Sequence, residues 1–268
     1  MERFCDPYIP KSRVKRVFVS QLMPDSLISE LNDMGIRTYK LGKTKNISSE
    51  LSFHPDILLN NFRKGRWMCE NNAEYLPTDI PRSMILESEC ELGNIYPYDC
   101  LFNNFRIGKA LICGKSADYL IKAYARYDEY RIVYVIQNYT KCCTIPINQN
   151  AVITCDYYVG RTLRFNGLDV LTVNDSDDIG LRGFSHGLLG GCAGMLSDKL
   201  LGFTGNLNKY AYGNEIRDFC ANHGVDAYSL SSEPMYDYGG ILPITEVVPM
   251  GEEDTSTDVF EQMQEINI

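Results

Sequence analysis

One ten-residue stretch of this chain occurs twice. Residues 56–65 (DILLNNFRKG) return 43 positions later as residues 99–108 (DCLFNNFRIG), with seven of the ten identical. A second element recurs three times: GIRTYKL from Gly35, GLDVLTV from Gly167 and GVDAYSL from Gly224 share a helix-ending glycine followed by a strand. Self-similarity at a steady spacing constrains a fold more than any single residue does. Copies of one unit must stack on one another or close into a ring.

The clearest copy shows what the unit is. Residues 99–104 read as a strand, 106–108 as a turn and 109–113 as its hairpin partner. Residues 117–127 place Leu120, Ile121 and Tyr124 at helical spacing. The RIVYVIQ run at 131–137 is β-branched and aromatic, hence a strand. Upstream, 56–61 and 66–69 form the matching hairpin, followed by a weak helix interrupted by Pro77 and Pro81 and a strand at 84–87. Strand alternation there sends Asp56, Leu58 and Asn60 to one side and Ile57, Leu59 and Asn61 to the other. Downstream, a third copy runs through strands at 142–147 and 151–155, a helix at 158–166 and a strand at 168–173. A fourth has its hairpin at 190–203 and a helix at 214–223 that buries Ile216, Phe219 and Cys220 before Gly224 stops it. The last copy is split. A strand at 239–247 lacks a helix, and the N-terminal side supplies the rest: a strand at 14–20, a helix opened by Asp25 and a strand at 36–41. The expected fold is therefore α/β: five pseudo-symmetric ββαβ units around a central axis, closed by pairing of the N- and C-terminal segments.

Composition narrows the function classes. Apolar residues make up 44% of the 268, and no apolar run reaches the roughly 20 residues that cross a bilayer. The start of the chain lacks the pattern of a signal peptide, so the expected location is cytoplasmic. Ten cysteines without a C-x-x-C pair then read as free thiols, not as disulfides or a zinc site. Six acids and no base fall in residues 251–268, and without them the net charge of −9 shrinks to 29 acids against 26 bases. That tail reads as a disordered, solubilising extension. No basic stripe offers a surface to nucleic acid, and no phosphate loop or compact ligand set implies a cofactor or a metal.

The segments leading into the five first strands carry a resemblance. They are His54-Pro55-Asp56, Tyr96-Pro97-Tyr98-Asp99, Tyr139-Thr140-Lys141-Cys142-Cys143, Leu189-Gly190-Gly191 and Asp237-Tyr238-Gly239-Gly240-Ile241-Leu242-Pro243-Ile244. With the five units, they make the chain resemble the pentein, or α/β-propeller, fold of the guanidine-modifying enzymes: arginine deiminases, dimethylarginine hydrolases and amidinotransferases. More closely, the chain looks like an uncharacterised bacterial family assigned to that fold. The likeness spans about residues 13–249, with 1–12 as an N-terminal extension and 250–268 as the acidic tail. It implies a site at the axial end where those segments converge. In the enzymes a thiolate attacks the guanidinium carbon, a His moves protons, and carboxylates hold the planar cation. The catalytic Cys belongs on the last unit's first strand, but residues 239–243 read GGILP and no Cys follows Cys220. The His belongs near Gly190, and His186 falls a few residues early. The catalytic roles are therefore not carried over.

The acids persist. Asp99 matches the place of a substrate-binding carboxylate, Asp56 is its repeat-mate, and Asp237 leads into the fifth unit in the same way. Either these acids face a ligand, or each ties down its own turn by accepting backbone N–H bonds. Cys142, Cys143 and Cys192 are nucleophiles if a cation such as Lys141 lowers a thiol pKa, and core filler otherwise. His54 and His186 are the available acid/base groups or plain packing residues. The expected function is binding of a small polar metabolite, guanidino or amino-acid-like, in an axial cavity. One alternative is a hydrolase or amidinotransferase acting on a guanidine C–N bond through a relocated cysteine. Another is an interaction module that uses the acidic tail. The sequence leaves the oligomeric state open.

Overall fold

Glycines at the turns set the hairpins. Gly65 and Gly108 close the two copies of the repeat with φ of +68° and +54°, a left-handed conformation that residues with a Cβ rarely adopt. The computed structural model describes residues 1–174 and 178–248, so the expected acidic tail of residues 250–268 lies outside the described residues. Closing elements and unit 1 comprise β1 (Glu2–Phe4), β2 (Val14–Ser20), α1 (Asp25–Asp33) and β3 (Arg37–Leu41). Unit 2 has α2 (Pro55–Leu58), β4 (Asn60–Arg63), β5 (Arg66–Cys69) and β6 (Ile85–Glu87). Unit 3 has β7 (Phe105–Ile107), β8 (Ala110–Cys113), α3 (Tyr119–Tyr127) and β9 (Arg131–Tyr134). Unit 4 has β10 (Thr144–Asn148), β11 (Ala151–Thr154), α4 (Tyr157–Phe165) and β12 (Asp169–Thr172). Unit 5 has β13 (Ala193–Ser197), β14 (Leu200–Phe203), α5 (Gly213–Asn222) and β15 (Asp226–Ser229), and β16 (Leu242–Val247) returns to unit 1.

The sheets share one wiring. In β4-β5-β6, β7-β8-β9, β10-β11-β12 and β13-β14-β15 the first pair is antiparallel and the second parallel. A parallel pair needs a long crossover, which α3, α4 and α5 supply. The fifth sheet runs β1-β16-β2-β3, with β16 antiparallel to β2, so the two ends of the chain close the ring as expected. Residues 1–12, expected as an extension, instead place β1 on the outer edge of β16. The buried Glu246 carboxylate fastens that segment by accepting from Arg3 Nε at 2.7 Å and the Ser12 N–H at 3.1 Å.

Four helices end in one way. Gly35, Gly167 and Gly224 have φ of +74°, +86° and +70°, and the next N–H reaches back to the carbonyl of Leu31, Leu163 or Cys220. This is the Schellman stop. In unit 3, Glu129 takes the same left-handed role at φ +59°, with Tyr130 N–H on Ala125 O. Helix α3 starts where Asp118 Oδ1 accepts from Leu120 N at 2.7 Å, an ordinary side-chain cap. Unit 2 differs. Its expected weak helix is absent, and Arg82–Met84 forms only a 3₁₀ turn after the two prolines. Proline lacks an amide donor and clashes with the preceding turn, so Pro77 and Pro81 leave no room for an α-helix.

Strands β8 and β11 are buried along their whole length. That is the pattern of sheets covered on both faces. First strands of neighbouring units adjoin: β4 contacts β7, β10 contacts β13, and β13 contacts β16. Trp67 packs edge-on against Phe18 at 5.0 Å between ring centres, joining units 1 and 2 in the core. Burial of such rings supplies most of the driving force for closure, at about 25 cal/mol per Å² of apolar surface.

Candidate functional site

The segments leading into the first strands are not themselves strands. Asp56 sits in α2, where Leu58 N–H bonds His54 O at 3.0 Å and Leu59 N–H bonds Pro55 O at 2.9 Å. Pro55 favours this turn, since its fixed φ suits a first helical position and its missing N–H is not needed there. Asp99 lies likewise in a 3₁₀ turn at Tyr98–Cys100, and Leu189–Cys192 forms a third. The expected strand alternation from Asp56 to Asn61 therefore fails, because β4 begins only at Asn60. Ile57, Leu58 and Leu59 are all fully buried.

These turns bring several polar groups together inside the ring. His54, Asp56, Lys141, Cys142, Cys192 and Asp237 are each at most 4% exposed. His54 Nδ1 lies 3.5 Å from Asp237 Oδ1 without forming a hydrogen bond. Burial, then the negative charges of Asp56 and Asp237, push the Cys142 thiol well above its ordinary value. Cys192 is held up in the same way by burial and Asp237, with Lys141 opposing. Lys141 Nζ reaches Gly190 O at 3.4 Å and lies 5.6 Å from the centre of the Tyr8 ring. A cation, two acids and two neutral thiols thus share one buried region.

The three acids have different fates. Asp237 ties the backbone: Oδ2 accepts Leu188 N–H and Oδ1 accepts Gly239 N–H, both at 2.9 Å. A Cβ on Gly191 would stand 1.8 Å from its Oδ1, so glycine there makes room for the carboxylate. Burial pushes the Asp237 carboxyl up, and the nearby His54 counters it. Asp99, 8% exposed, accepts the Tyr139 hydroxyl on Oδ2 and the Cys100 thiol on Oδ1 at 3.1 Å. Asp56 is 1% exposed, and neither carboxylate oxygen completes a hydrogen bond of good geometry, although the Cys142 thiol lies against the carboxylate.

Two other expected candidates meet different groups. Cys143 Sγ turns to Thr140 O at 3.3 Å, beside the Thr144 and Thr154 hydroxyls. The His186 ring lies against the Ser185 hydroxyl at 3.1 Å, two residues before the Leu188 N–H that Asp237 holds. Among the described residues, no three His, Cys, Asp or Glu side chains converge as metal ligands, and no helix is long and apolar enough to cross a membrane.

Two residues of the site escaped the sequence reading although their signal was in the repeat. Asn60 and Asn103 are repeat-mates that stitch consecutive units. Asn60 Nδ2 donates to Phe102 O at 2.9 Å and Asn104 O at 2.7 Å. Asn103 Oδ1 accepts the N–H groups of Lys141 at 2.7 Å and Cys142 at 3.1 Å, while its Nδ2 donates to Asp56 O and Cys142 Sγ, each at 2.8 Å. Asn103 therefore holds the leading turns of three structural segments in one place.

Comparison with known proteins places the fold. A family model described as a family of unknown function (DUF6873) matches residues 18–242. Among solved structures, SxtG, an amidinotransferase from Microseira wollei in the saxitoxin biosynthetic pathway, is similar at a TM-score of 0.52 and 11% identity, over 92% of this chain and 98% of that one. C. jejuni agmatine deiminase with substrate bound matches at a TM-score of 0.45 and 8% identity, over 86% and 91%. No curated protein matches the chain. The five-unit ring is a pentein-like fold.

Proposed function

We propose, for a chain that belongs to the DUF6873 family of unknown function and has the pentein-like fold, binding of a small cationic or zwitterionic metabolite at the axial cluster. The observation that carries this is Asp56. A carboxylate taken out of water without a donor costs several kcal/mol. A guanidinium or ammonium group relieves that cost with charge-assisted hydrogen bonds. Lys141, equally buried, supplies the opposite charge and suits a ligand that also carries a carboxylate. Because Asp56 is 1% exposed, an occupant has to displace the side chains that cover it. Asp99 and Asp237 spend their oxygens on Tyr139, Cys100 and backbone N–H groups, and so support the site more than they contact its ligand.

Catalysis through a relocated cysteine has weaker support. Cys142 and Cys192 are buried and their thiols are pushed up, and the thiol form is a poor nucleophile.

The test is a thermal-shift screen of arginine, agmatine, creatine, citrulline and neutral amino acids, with products followed by mass spectrometry. Millimolar ligand at a site of roughly ten-micromolar Kd stabilises by about 2.7 kcal/mol. The expected result is a shift from a guanidino or amino compound that disappears in Asp56→Asn. An unchanged shift in Asp56→Asn, or none from any compound, removes the reading. Turnover by the wild type would instead establish an enzyme.

A further inference from the structure

The repeated sequence carries an arginine two residues before its closing glycine in both copies, and the two arginines meet at the hairpin-turn ends of β4 and β7, the opposite end of β4 from Asp56. Asp128, just after α3, receives both. Arg63 Nε donates to Asp128 Oδ2 at 2.7 Å, and Arg63 Nη2 bonds Oδ1. Arg106 Nη1 donates to the same Oδ2 at 2.8 Å. Two cations thus share one carboxylate.

Arg106 is left incomplete. Its residue is 6% exposed, its guanidinium stacks over the Tyr130 ring at 4.5 Å, and its Nε and Nη2 have no acceptor among the protein atoms. Those two nitrogens form one edge of the guanidinium, a fork spaced for two oxygens of a single oxyanion. A cavity of about 240 Å³ opens beside this arginine, lined by Arg63, Arg106, the exposed Lys64, Asp128, Tyr130 and Gln149, with Nε and Nη2 buried behind that lining. Asp6 also borders it, but Lys11 already engages that carboxylate at 2.9 Å. The lining is net basic in a chain whose formal charge is −9.

We propose that this cavity binds a small oxyanion, the carboxylate or phosphate group of a metabolite. Once a side chain covering it shifts, the Arg106 Nε/Nη2 edge holds the anion, Lys64 adds a second positive contact, and Asp128 keeps the two guanidinium groups in place. The site is independent of the axial cluster and takes ligands of the opposite charge.

Titration of the full-length protein with sodium phosphate, and separately with disodium succinate, tests it at constant ionic strength, with melting temperature as the readout. The expected result is a saturable rise with at least one of them. A response to phosphate alone identifies a phosphate group, and a response to succinate alone a carboxylate. Lys64→Glu, on an exposed turn, should weaken the apparent affinity at least tenfold. Arg106→Lys, checked for folding by circular dichroism, should do the same, while Asp56→Asn should leave it unchanged. A linear, non-saturating rise is the mark of salt exclusion and not of binding, and it would overturn the proposal. So would equal affinity in Lys64→Glu and Arg106→Lys.

Discussion

Asp56 and Asp99 hold the same place in two copies of one sequence, yet their surroundings differ. Asp99 is held by the Tyr139 hydroxyl and the Cys100 thiol, whereas Asp56 is followed by Ile57 and completes no hydrogen bond of good geometry on either oxygen. The backbone frame around them is shared: each acid sits in a short helical turn, and each copy closes on a left-handed glycine. What differs comes from the next unit along the ring. Unit 4 offers unit 3 a tyrosine hydroxyl; unit 3 offers unit 2 the Asn103 amide, which bonds the Asp56 backbone carbonyl and leaves the carboxylate bare. Repeated residues that face the chain's own frame do repeated work. Repeated residues that face a neighbour do whatever that neighbour permits.

The largest expected effect sharpens this contrast at the asparagines. Asn103→Ala strands two buried N–H groups, of Lys141 and Cys142, and should cost about 3 kcal/mol in urea denaturation. Asn60→Ala removes a donor to carbonyls and to the Tyr8 hydroxyl but strands no N–H group, and should cost about 1 kcal/mol. Equal losses would mean that the two copies are interchangeable after all.

Next come the acids themselves, where opposite signs are expected. Asp56→Asn removes an unpaired buried charge and should raise stability by about 1 kcal/mol in the absence of ligand. Asp99→Asn weakens a charge-assisted bond from Tyr139 and should lower it by about 1.5 kcal/mol. Destabilisation by both substitutions would show that Asp56 has a partner in solution.

A smaller effect concerns pH. Hydrogen bonding from Arg63, joined by Arg106, holds the Asp128 carboxyl below its ordinary value. A depressed acid contributes stability that is present above the unfolded pKa of about 4 and is lost as pH falls through the folded pKa. Asp128→Asn should therefore flatten the acid side of the stability curve. Asp237, pushed up by burial, works in the other direction: its contribution is full below pH 4 and declines as pH rises through its raised pKa. Melting temperatures from pH 2 to 7 on the wild type and Asp128→Asn separate the two.

The smallest expected change is at the thiols. Nine of the ten cysteines are buried and Cys90 is half-buried. Brief alkylation of the native protein near neutral pH, read by mass spectrometry, should mark Cys90 alone. Burial and then the Asp99 charge hold the Cys100 thiol up, so rapid labelling of Cys100 would break its contrast with the apolar Ile57.

Much of the fold was legible in the amino-acid order because its signals are local. The left-handed glycines at positions 35, 167 and 224 stop helices wherever they occur, and the hairpin turns follow from Gly65 and Gly108. Two local readings failed for local reasons. Prolines removed the helix of unit 2 altogether, and the His54-Pro55-Asp56 step favoured a helical turn over an early strand. The asparagine pair was visible as an identity between copies, but its role needed the carbonyls and N–H groups of another unit. Nothing local marked Lys141 as buried, since a lysine ahead of a strand is ordinarily solvated.

The order of residues by itself thus determined five units of one strand wiring, the helices of four of them, and a ring closed by the two ends of the chain, because turn chemistry and periodicity act within one unit. Only the tertiary structure decided that Asp237 ties a loop, that Asp99 meets a tyrosine, that Asp56 is left bare and that Arg63 and Arg106 share one acid. Those outcomes depend on groups tens of residues away, and a hydrogen bond acts over only about 3 Å. Packing of neighbouring units around the ring brings such groups within that reach.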